Sequence, residues 1–546
     1  MEFFQSDTKI QLAWDQVWGQ VKPVSAPGRR RHSEYKAFLP PQVEELAQEL
    51  NRLEELSRAL EGDPAGSSAL SYLLANVRDV SLSLKRAQGG SVLDDLELYE
   101  IKRQLSLLAE IKEELKRQKW EHLLPVPADL CTPCLKALSI GQGGRDSFYI
   151  ADAYDADLAA VREKRIFLET TLAEFKNKAE EKLLRAAGRG FGPGCEISVS
   201  RGEQAVIAQL AAMRELKKTE ETNDFVKFRL AENETVRRQR QELRKFREKE
   251  ETYKARVRQN LSQVVAEHGE RLLKMQEVLG YLDLLLAKAK FCAGFGGVKP
   301  HLSRENVLRF KKGRHLLVEK EVAADGYDYR PIDVCLKPGA TIITGPNMGG
   351  KTVSLKTIGL LAAMAQYGLL VPAEAMEFRP LWFVASHLAR AEIPRGLSTF
   401  AAEIVFLQNA VEKSGTAGLI LVDEIAHGTN PQEGAALAGA VVERLHSRPA
   451  YTVVTTHYPP LARLQGPRQL RVAGLDEKKV RKYSFAGRED ILRRFMDYNL
   501  VPWQGPADCE VSGDAALVAE TMGLDAEIIA RAKGLLKRGW EDLGHD

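Results

Sequence analysis

Gly345-Pro346-Asn347-Met348-Gly349-Gly350-Lys351-Thr352 is the stretch that decides the fold of this 546-residue chain. It fits the pattern Gly-x4-Gly-Lys-Thr, with an apolar run at 340–344 before it that predicts a buried strand. Val353 follows in a run that predicts a helix to about residue 361. Strand, glycine loop and helix in this order aim backbone N–H groups and a helix dipole at one anion. Lys351 would then reach the β- and γ-phosphates of a nucleotide, and Thr352 would offer its hydroxyl to Mg²⁺.

The composition allows roughly three or four domains and excludes several other classes of protein. Lys and Arg number 78 against 75 Asp and Glu, so net charge favours no polyanionic partner. The first residues lack a basic segment followed by an apolar core, and no run of about 18 apolar residues follows. Six scattered cysteines suit a reducing compartment. We therefore expect a cytoplasmic protein without signal peptide or membrane span.

Cys131 and Cys134 have the Cys-x-x-Cys spacing. A zinc site would need a second such pair, and a redox site would need a βαβ context. Neither is evident in the sequence, so we interpret the spacing as coincidence.

Helical periodicity dominates the chain up to about residue 185, most clearly at 43–60 and 93–115. Residues 147–151 interrupt it as a predicted short strand. After a glycine-rich segment, two more strands are predicted at 196–200 and 224–230, separated by a short, charged helical stretch.

Residues 231–289 contain neither proline nor a turn cluster, which predicts a helical rod of the order of 90 Å. Apolar residues recur along it at heptad-like spacing and predict packing on another helix. They are Val236, Leu243, Phe246, Tyr253, Val257, Leu261 and Val264.

Within this rod, residues 237–258 hold ten basic and four acidic side chains. Arg237, Arg238, Arg240 and Arg244 are the candidate contacts to DNA phosphates. The same density of charge also suits the solvated face of a coiled coil, so both interpretations stay open.

An α/β domain is predicted from about residue 291 to 485. In it, residues 419–422 form an apolar run that predicts a strand ending in Asp423 and Glu424. Such a strand delivers its acids to the sheet edge where the phosphate loop lies. Asp423 would hold Mg²⁺ and Glu424 would deprotonate the attacking water, although two acids here could also cap the next helix.

Two further motifs complete the site. His457 ends a predicted strand at 451–457, where it would hydrogen-bond the γ-phosphate or the attacking water; a surface histidine is the alternative. Ser398 and Thr399 stand at the start of a predicted helix, whose N–H groups could receive the γ-phosphate of an ATP held by a second subunit. Taken alone, that segment is an ordinary helix cap.

Together these motifs resemble those of the MutS family of ABC-type ATPases. The resemblance rests on 344–353, Asp423-Glu424, Gly428-Thr429, Ser398-Thr399-Phe400 and Thr455-Thr456-His457-Tyr458, in that family's order and spacing. The stretch 428–437 most resembles the paralogue branch that lacks the mismatch-reading domain. Clampless MutS-like chains that reactivate cobalamin-dependent lysine aminomutases are also similar.

The resemblance implies an α/β P-loop ATPase domain joined to an all-α core, and a dimer, with itself or a paralogous subunit, that uses ATP and Mg²⁺. Ser398 of one subunit would complete the site formed by Lys351, Thr352, Asp423, Glu424 and His457 of the other. The resemblance also divides the chain into a helical core at 1–185, a reduced clamp at 186–230, a lever helix at 231–290, the ATPase domain at 291–485 and a helical dimerisation segment at 486–546.

The chain departs from the family in the parts that touch DNA. No suitable Phe-x-Glu wedge precedes the helical core, because 167–169 and 246–248 lie inside helical patterns. The clamp position holds the charged stretch 201–223, and a terminal nuclease module is not expected. Two hypotheses follow: a DNA-binding ATPase related to mismatch repair or branched-DNA processing, or an ATPase that remodels a protein such as an aminomutase. A purely structural coiled coil would leave the nucleotide motifs unexplained.

Overall fold

A computed structural model describes residues 2–5, 7–123, 131–142, 144, 147–231, 233–345, 349–388, 399–475, 496–503, 518–520 and 522–538. The fold is mixed α/β, with much of the chain in helices. In chain order the α-helices are α1 Thr8–Gln11, α2 Trp14–Trp18, α3 Ala26–Glu34, α4 Val43–Gly62, α5 Pro64–Ala75, α6 Ser81–Gln88, α7 Asp95–Arg117, α8 Thr132–Ala137, α9 Ala156–Ala187, α10 Gln204–Ala212, α11 Glu234–Glu267, α12 Gly269–Ala293, α13 Leu316–Ala324, α14 Lys351–Gln366, α15 Thr399–Lys413, α16 Pro431–His446 and α17 Ala526–Arg538.

The strands fall in two groups along the chain. They are β1 Glu196–Ser200, β2 Leu216–Glu221, β3 Phe225–Leu230, β4 His301–Leu302, β5 Leu308–Gly313, β6 Ile332–Leu336, β7 Gly339–Thr344, β8 Ala375–Phe378, β9 Val384–His387, β10 Leu419–Val422, β11 Tyr451–Thr455, β12 Arg468–Leu475 and β13 Met496–Pro502.

Two compact units make up the chain. The first unit holds Met1–Ala75, Glu114–Pro125 and Leu279–Asp546, and the second unit holds Asn76–Glu113 and Val126–Val278. The five-part division expected from the sequence stays a prediction.

The main sheet of the first unit has the strand order β13-β12-β7-β11-β10-β9 in the described residues. The five strands from β12 to β9 are parallel to their neighbours, and β13 is antiparallel to β12. Every residue of β10 and β11 is buried, as expected for central parallel strands covered on both faces. β13 lies beyond residue 485, so the sheet continues past the predicted end of the ATPase domain.

Helices cover both faces of this sheet. Ile420 and Val422 pack in a core with residues of α15 and α16, whereas Leu421 points to the opposite face, where Gly359 of α14 lies against it. The alternation of β10 therefore places α14, the helix that follows the phosphate loop, against the centre of the sheet. A second sheet in the described residues has the order β4-β8-β5-β6.

The N-terminal segment pairs with the edge strand β9. The N–H of Val384 donates to the carbonyl of Phe3 at 2.7 Å, and the N–H of Gln5 donates to the carbonyl of Val384 at 3.0 Å. Thr8 accepts a hydrogen bond from the N–H of Ser386 at 2.9 Å. These contacts give the edge of the sheet its missing hydrogen-bond partners.

In the second unit, α11 packs along α9, as the heptad-like spacing predicted. Val236, Leu243 and Val257 are buried at seven-residue spacing, and Glu250 occupies the intervening position. Its carboxylate accepts a hydrogen bond from Arg162 at 3.0 Å and forms an ion pair with Arg165 at 2.8 Å, so this buried charge is paired.

The predicted helical stretch at 201–223 is partly wrong. Only α10 is helical there, and residues 216–221 form β2 at one edge of a three-stranded sheet of order β1-β3-β2. Its core consists of Leu183, Ile197, Val199, Leu210, Leu216, Val226 and Phe228. Because all of β2 except its first residue is exposed, the sequence lacks the apolar alternation that indicates a strand.

Two other sequence predictions are wrong. Residues 147–151 form no strand, because the carbonyls of Ser147 and Ile150 accept hydrogen bonds from the side chains of Lys102 and Arg162. The rod 231–289 is interrupted at His268, which ends α11 with φ −100° and ψ 4°. Gly269 follows, and a Cβ there would lie 2.6 Å from the side chain of Gln88.

Cys131 and Cys134 are buried and make no disulfide. Burial, with a contribution from Cys131, raises the pKa of the Cys134 thiol to about 12. Such a thiol is a poor nucleophile and packs as a small apolar side chain.

Among the helices in the described part of the chain, none has the length and apolar character needed to cross a membrane.

Candidate nucleotide site

The predicted phosphate loop begins and ends at glycines that the backbone requires. Gly345 follows β7 with φ +147°, and a Cβ there would lie 2.9 Å from Val472. Gly350 precedes α14 with φ +73°, and a Cβ there would lie 2.7 Å from the ring of Tyr498. Larger residues at these two positions would meet both backbone strain and a neighbouring side chain. Pro346, Asn347 and Met348 lie outside the described residues; Gly349 and Val353 flank the start of the helix.

Lys351 is the first residue of α14 and is only 5% exposed. Its ammonium donates to the carbonyl of Gly345 at 2.9 Å, which places the charge across the mouth of the loop. Burial lowers the pKa of Lys351, and the carboxylates of Glu424 and Asp423 oppose that shift. A phosphate in the loop would add a further negative charge beside this buried cation.

Thr352 and Asp423 meet directly. The Thr352 hydroxyl donates to Asp423 Oδ2 at 2.6 Å, and the hydroxyl of Thr455, at the end of β11, donates to Oδ1 at 2.5 Å. Both carboxylate oxygens of this buried residue are thereby oriented. A hydroxyl and a carboxylate oxygen at one point are ligands that Mg²⁺ prefers, so this pair fits the predicted magnesium site.

Glu424 and His457 form the second polar pair. His457 Nε2 lies 2.8 Å from Glu424 Oε1, and each side chain is 30% exposed. The N–H of Glu424 donates to the Thr455 hydroxyl at 2.8 Å, and its φ is +51°. Thr455 thus holds the carboxylate of Asp423 and the backbone of Glu424 at once, a role that sequence reasoning missed.

A cavity of about 350 Å³ lies beside Gly350 and Val353. Tyr329 and Tyr498 are among its lining residues, together with the carboxyl-bearing side chains of Glu321, Asp325 and Asp328. Aromatic walls with a few polar groups suit a flat heterocycle such as a nucleotide base. The sequence signal for this cavity was weak, because Tyr329 and Tyr498 are 169 positions apart in the numbering.

The remaining predicted site residues are located only in part. Thr399 opens α15, whereas Ser398 lies outside the described residues.

His387, which the sequence did not single out, ends β9, and its carbonyl accepts a hydrogen bond from the N–H of Asp423 at 2.9 Å. Burial lowers the pKa of the His387 imidazole, which favours its neutral form.

The candidate DNA contacts Arg237, Arg238, Arg240 and Arg244 lie on α11 in the second unit, and all four are exposed. Further along the same helix the basic residues meet acids. Arg247 pairs with Glu169, Arg256 with Asp155 and Asp157, and Arg258 with Asp95. The later half of the basic run thus fits the solvated-face interpretation. In the first half Arg238 pairs with Glu234, and all four arginines are exposed to solvent.

Comparison with known proteins adds independent findings. The family model of MutS domain V matches residues 341–538. Proteins named "Endonuclease MutS2" are similar over most of the chain: one from Geobacillus sp. (strain WCH70) is 30% identical over 84% of this chain, and one from Geobacillus thermodenitrificans is 31% identical over 84%. A third, from Lactiplantibacillus plantarum, is 26% identical over 97% of this chain. These alignments span 57%, 57% and 65% of the respective relatives.

Proposed function

Because this chain belongs to the MutS family, we propose that it is an ATP hydrolase that binds DNA and couples ATP turnover to changes in DNA contact. One observation supports the proposed ATP hydrolysis most strongly. Thr352, Asp423 and Thr455 form a continuous hydrogen-bonded chain at the end of the phosphate loop. Glu424 and His457 lie directly beside it.

In this proposal each residue of the site has a separate role in ATP hydrolysis. Lys351 and the N-terminal end of α14 bind the phosphates, and Thr352 with Asp423 would hold Mg²⁺, which neutralises charge on the phosphate oxygens. Glu424 orients the attacking water and takes its proton. His457 donates to Glu424 and so fixes the direction of that carboxylate. The cavity lined by Tyr329 and Tyr498 would take the base.

We further propose a dimer in which Ser398 and Thr399 of one subunit contact the ATP held by the other. Family membership supports this arrangement, and so does the position of Thr399 at the N-terminal end of α15, where N–H groups are available to an anion. Near the C-terminal helix α17, Met522, Leu524 and Ile528 are exposed. Apolar side chains of this kind are typical of a subunit interface.

A direct contact connects the nucleotide site to α12, the second segment of the proposed lever. Lys288 of α12 donates to the carbonyl of Tyr367, the residue that follows α14, at 3.0 Å. The same ammonium donates to Glu49 of α4 at 2.8 Å. Movement of α14 when phosphate binds in its loop would therefore be passed to α12, as the proposed coupling requires.

The proposal that this chain binds DNA rests on exposed positive charge and on the names of its relatives. Arg237, Arg238, Arg240 and Arg244 are exposed on α11 and present positive charge to solvent, and Arg238 pairs with Glu234. The relatives are named as endonucleases, proteins that cut nucleic acid. Nothing in these relatives' names favours the aminomutase-reactivating hypothesis.

The proposed function is tested with the purified chain. We expect Mg²⁺-dependent ATP hydrolysis, and binding to duplex or branched DNA that weakens steeply between 50 and 200 mM salt, since phosphate contacts release counterions. No ATP hydrolysis would contradict the enzyme assignment. No detectable DNA binding at low salt, with or without ATP, would contradict the DNA assignment and favour a protein client.

Replacing Arg237, Arg238, Arg240 and Arg244 by alanine should weaken binding to duplex DNA and reduce the slope of log K against log salt by about 3 to 4. The physical reason is that each phosphate contact contributes about 0.9 to that slope. Fluorescence anisotropy at several salt concentrations measures it.

Arg256→Ala is the matched control on the same helix. Arg256 already pairs with Asp155 and Asp157, so its loss should leave the salt slope nearly unchanged. Equal slopes for the fourfold variant and the unmodified protein would show that these arginines do not contact phosphate.

A further inference from the structure

The turn that carries Glu424 has an unusual backbone. Glu424 has φ +51° and Ala426 has φ +60°, and neither is glycine. Residues other than glycine occupy this left-handed region only where their surroundings hold them there. A contact that fixes Ala426 therefore also fixes the direction of the chain at Glu424, two residues earlier.

Two side chains from outside the turn hold Ala426. Glu403 of α15 accepts a hydrogen bond from the N–H of Ala426 at 2.6 Å. On the other side of the same residue, the hydroxyl of Tyr458 donates to its carbonyl at 2.8 Å. The backbone N–H and carbonyl of the buried Ala426 are thus both hydrogen-bonded to side chains rather than to a neighbouring strand.

Glu403 is buried, at 6% exposure, which makes it an expensive residue for mere packing. Burial raises the pKa of its carboxyl group, and the N–H of Ala426 opposes that shift. An apolar side chain could fill the same space at lower cost, so the acceptor oxygen of Glu403 is explained by the bond that it accepts.

Close packing joins this turn to the first residues of α15. A Cβ at Gly428 would lie 3.1 Å from the Cβ of Phe400, and a Cβ at Gly434 would lie 2.5 Å from the Tyr458 hydroxyl. α15 begins at Thr399, one of the residues proposed to contact the partner subunit's ATP. Glu403 lies four positions later, one turn along that helix.

We propose that Glu403 and Tyr458 are positioning residues that hold the turn 424–426, so that the Glu424 carboxylate faces the attacking water. Glu403 also connects the N-terminal turn of α15 to that carboxylate, so a nucleotide of the partner subunit that touches this turn acts on the base of the first site. This inference rests on the proposed function, in which Glu424 is the base.

The experiment compares three variants of the full chain: Glu403→Ala, Glu403→Gln and Tyr458→Phe. We expect Glu403→Ala to lower kcat for ATP hydrolysis about 10- to 100-fold, since small misplacement of a catalytic group has effects of this size. KM for ATP should stay within about twofold, because no phosphate ligand is changed. Glu403→Gln keeps an oxygen acceptor and should recover kcat to within about threefold of the unmodified protein. Tyr458→Phe should lower kcat about 3- to 10-fold.

Hydrogen–deuterium exchange of a peptide spanning residues 424–428 provides a readout that does not depend on hydrolysis. We expect faster exchange in Glu403→Ala, and exchange close to the unmodified protein in Glu403→Gln, because the N–H of Ala426 loses its acceptor only in the first. If the unmodified protein hydrolyses no ATP, the proposed function fails, whereas exchange still decides whether Glu403 holds the turn.

Unchanged kcat in Glu403→Ala, or unchanged exchange in the turn, overturns the proposal. So does a Glu403→Gln variant as slow as Glu403→Ala. If Glu403→Ala does not fold, Tyr458→Phe decides: a reduced kcat with unchanged KM and melting temperature supports the proposal, and an unchanged kcat overturns it.

Discussion

We expect Glu424→Gln to slow ATP hydrolysis by about 10²- to 10⁴-fold, the usual contribution of a general base. The amide cannot accept a proton from water, but it has nearly the shape of the carboxylate and keeps an oxygen for the bond from His457. Lys351 and Thr352, which we propose hold the phosphates and Mg²⁺, are untouched. ATP binding should therefore persist, and ATP should hold the proposed dimer in its bound state.

Single-turnover hydrolysis and light scattering with ATP and Mg²⁺ measure the two effects. Glu443→Gln is the control, because Glu443 is an exposed glutamate of α16 in the same unit. It should leave both hydrolysis and subunit association unchanged. Hydrolysis by Glu424→Gln at the unmodified rate would show that another group activates the water.

The largest effect on stability is expected for Lys288→Met. The Lys288 ammonium is fully buried and donates to the hydroxyl of Tyr35 at 2.6 Å and to the carboxylate of Glu49 at 2.8 Å. Burial alone would raise the pKa of Glu49, but Lys288 and the bonds from the Tyr281 and Tyr35 hydroxyls outweigh it and lower the pKa. Removing the cation leaves a buried anion, which costs about 3–5 kcal/mol of unfolding free energy.

Urea denaturation measures this loss, with Lys290→Met as the control. Lys290 is two positions away on α12 but is exposed, and its loss should cost less than about 1 kcal/mol. Combining Lys288→Met with Glu49→Gln should recover part of the stability, because the buried anion is then removed as well. A free energy within about 1 kcal/mol of the unmodified protein for Lys288→Met alone would contradict this account.

The sequence predicts those parts of the fold whose signals are local. β7 and β10 are apolar runs because parallel strands are buried on both faces, and the glycine pattern between β7 and α14 is readable without knowledge of any distant residue. The helices α4 and α7 show their apolar stripes in the same way. The acids after β10 follow from the rule that ligands gather at the carboxyl edge of a parallel sheet.

The sequence does not predict what depends on distant partners. β2 is a strand because β3 lies beside it, although its own residues are mostly charged and exposed. Residues 147–151 have strand-forming side chains, yet the carbonyls of two of them accept hydrogen bonds from the side chains of Lys102 and Arg162. The bond from Ala426 to Glu403 joins a backbone N–H to a carboxylate 23 positions away, a contact with no periodic pattern. The cavity lined by Tyr329 and Tyr498 likewise depends on residues that are far apart in the sequence.

The pairing of the N-terminal segment with β9 bears on the synthesis of the chain. Thr8 is synthesised 378 residues before its partner Ser386, and the whole second unit is synthesised between the two. At about 5–20 residues per second, that delay is of the order of 20 to 80 s. During this time Phe3, Phe4 and Trp14, which end up buried, leave the ribosome before Tyr367, the ring that all three contact in the folded chain. A nascent chain with exposed aromatic residues is a natural client for a chaperone, and the N-terminal segment can pair with β9 only after that strand has been synthesised.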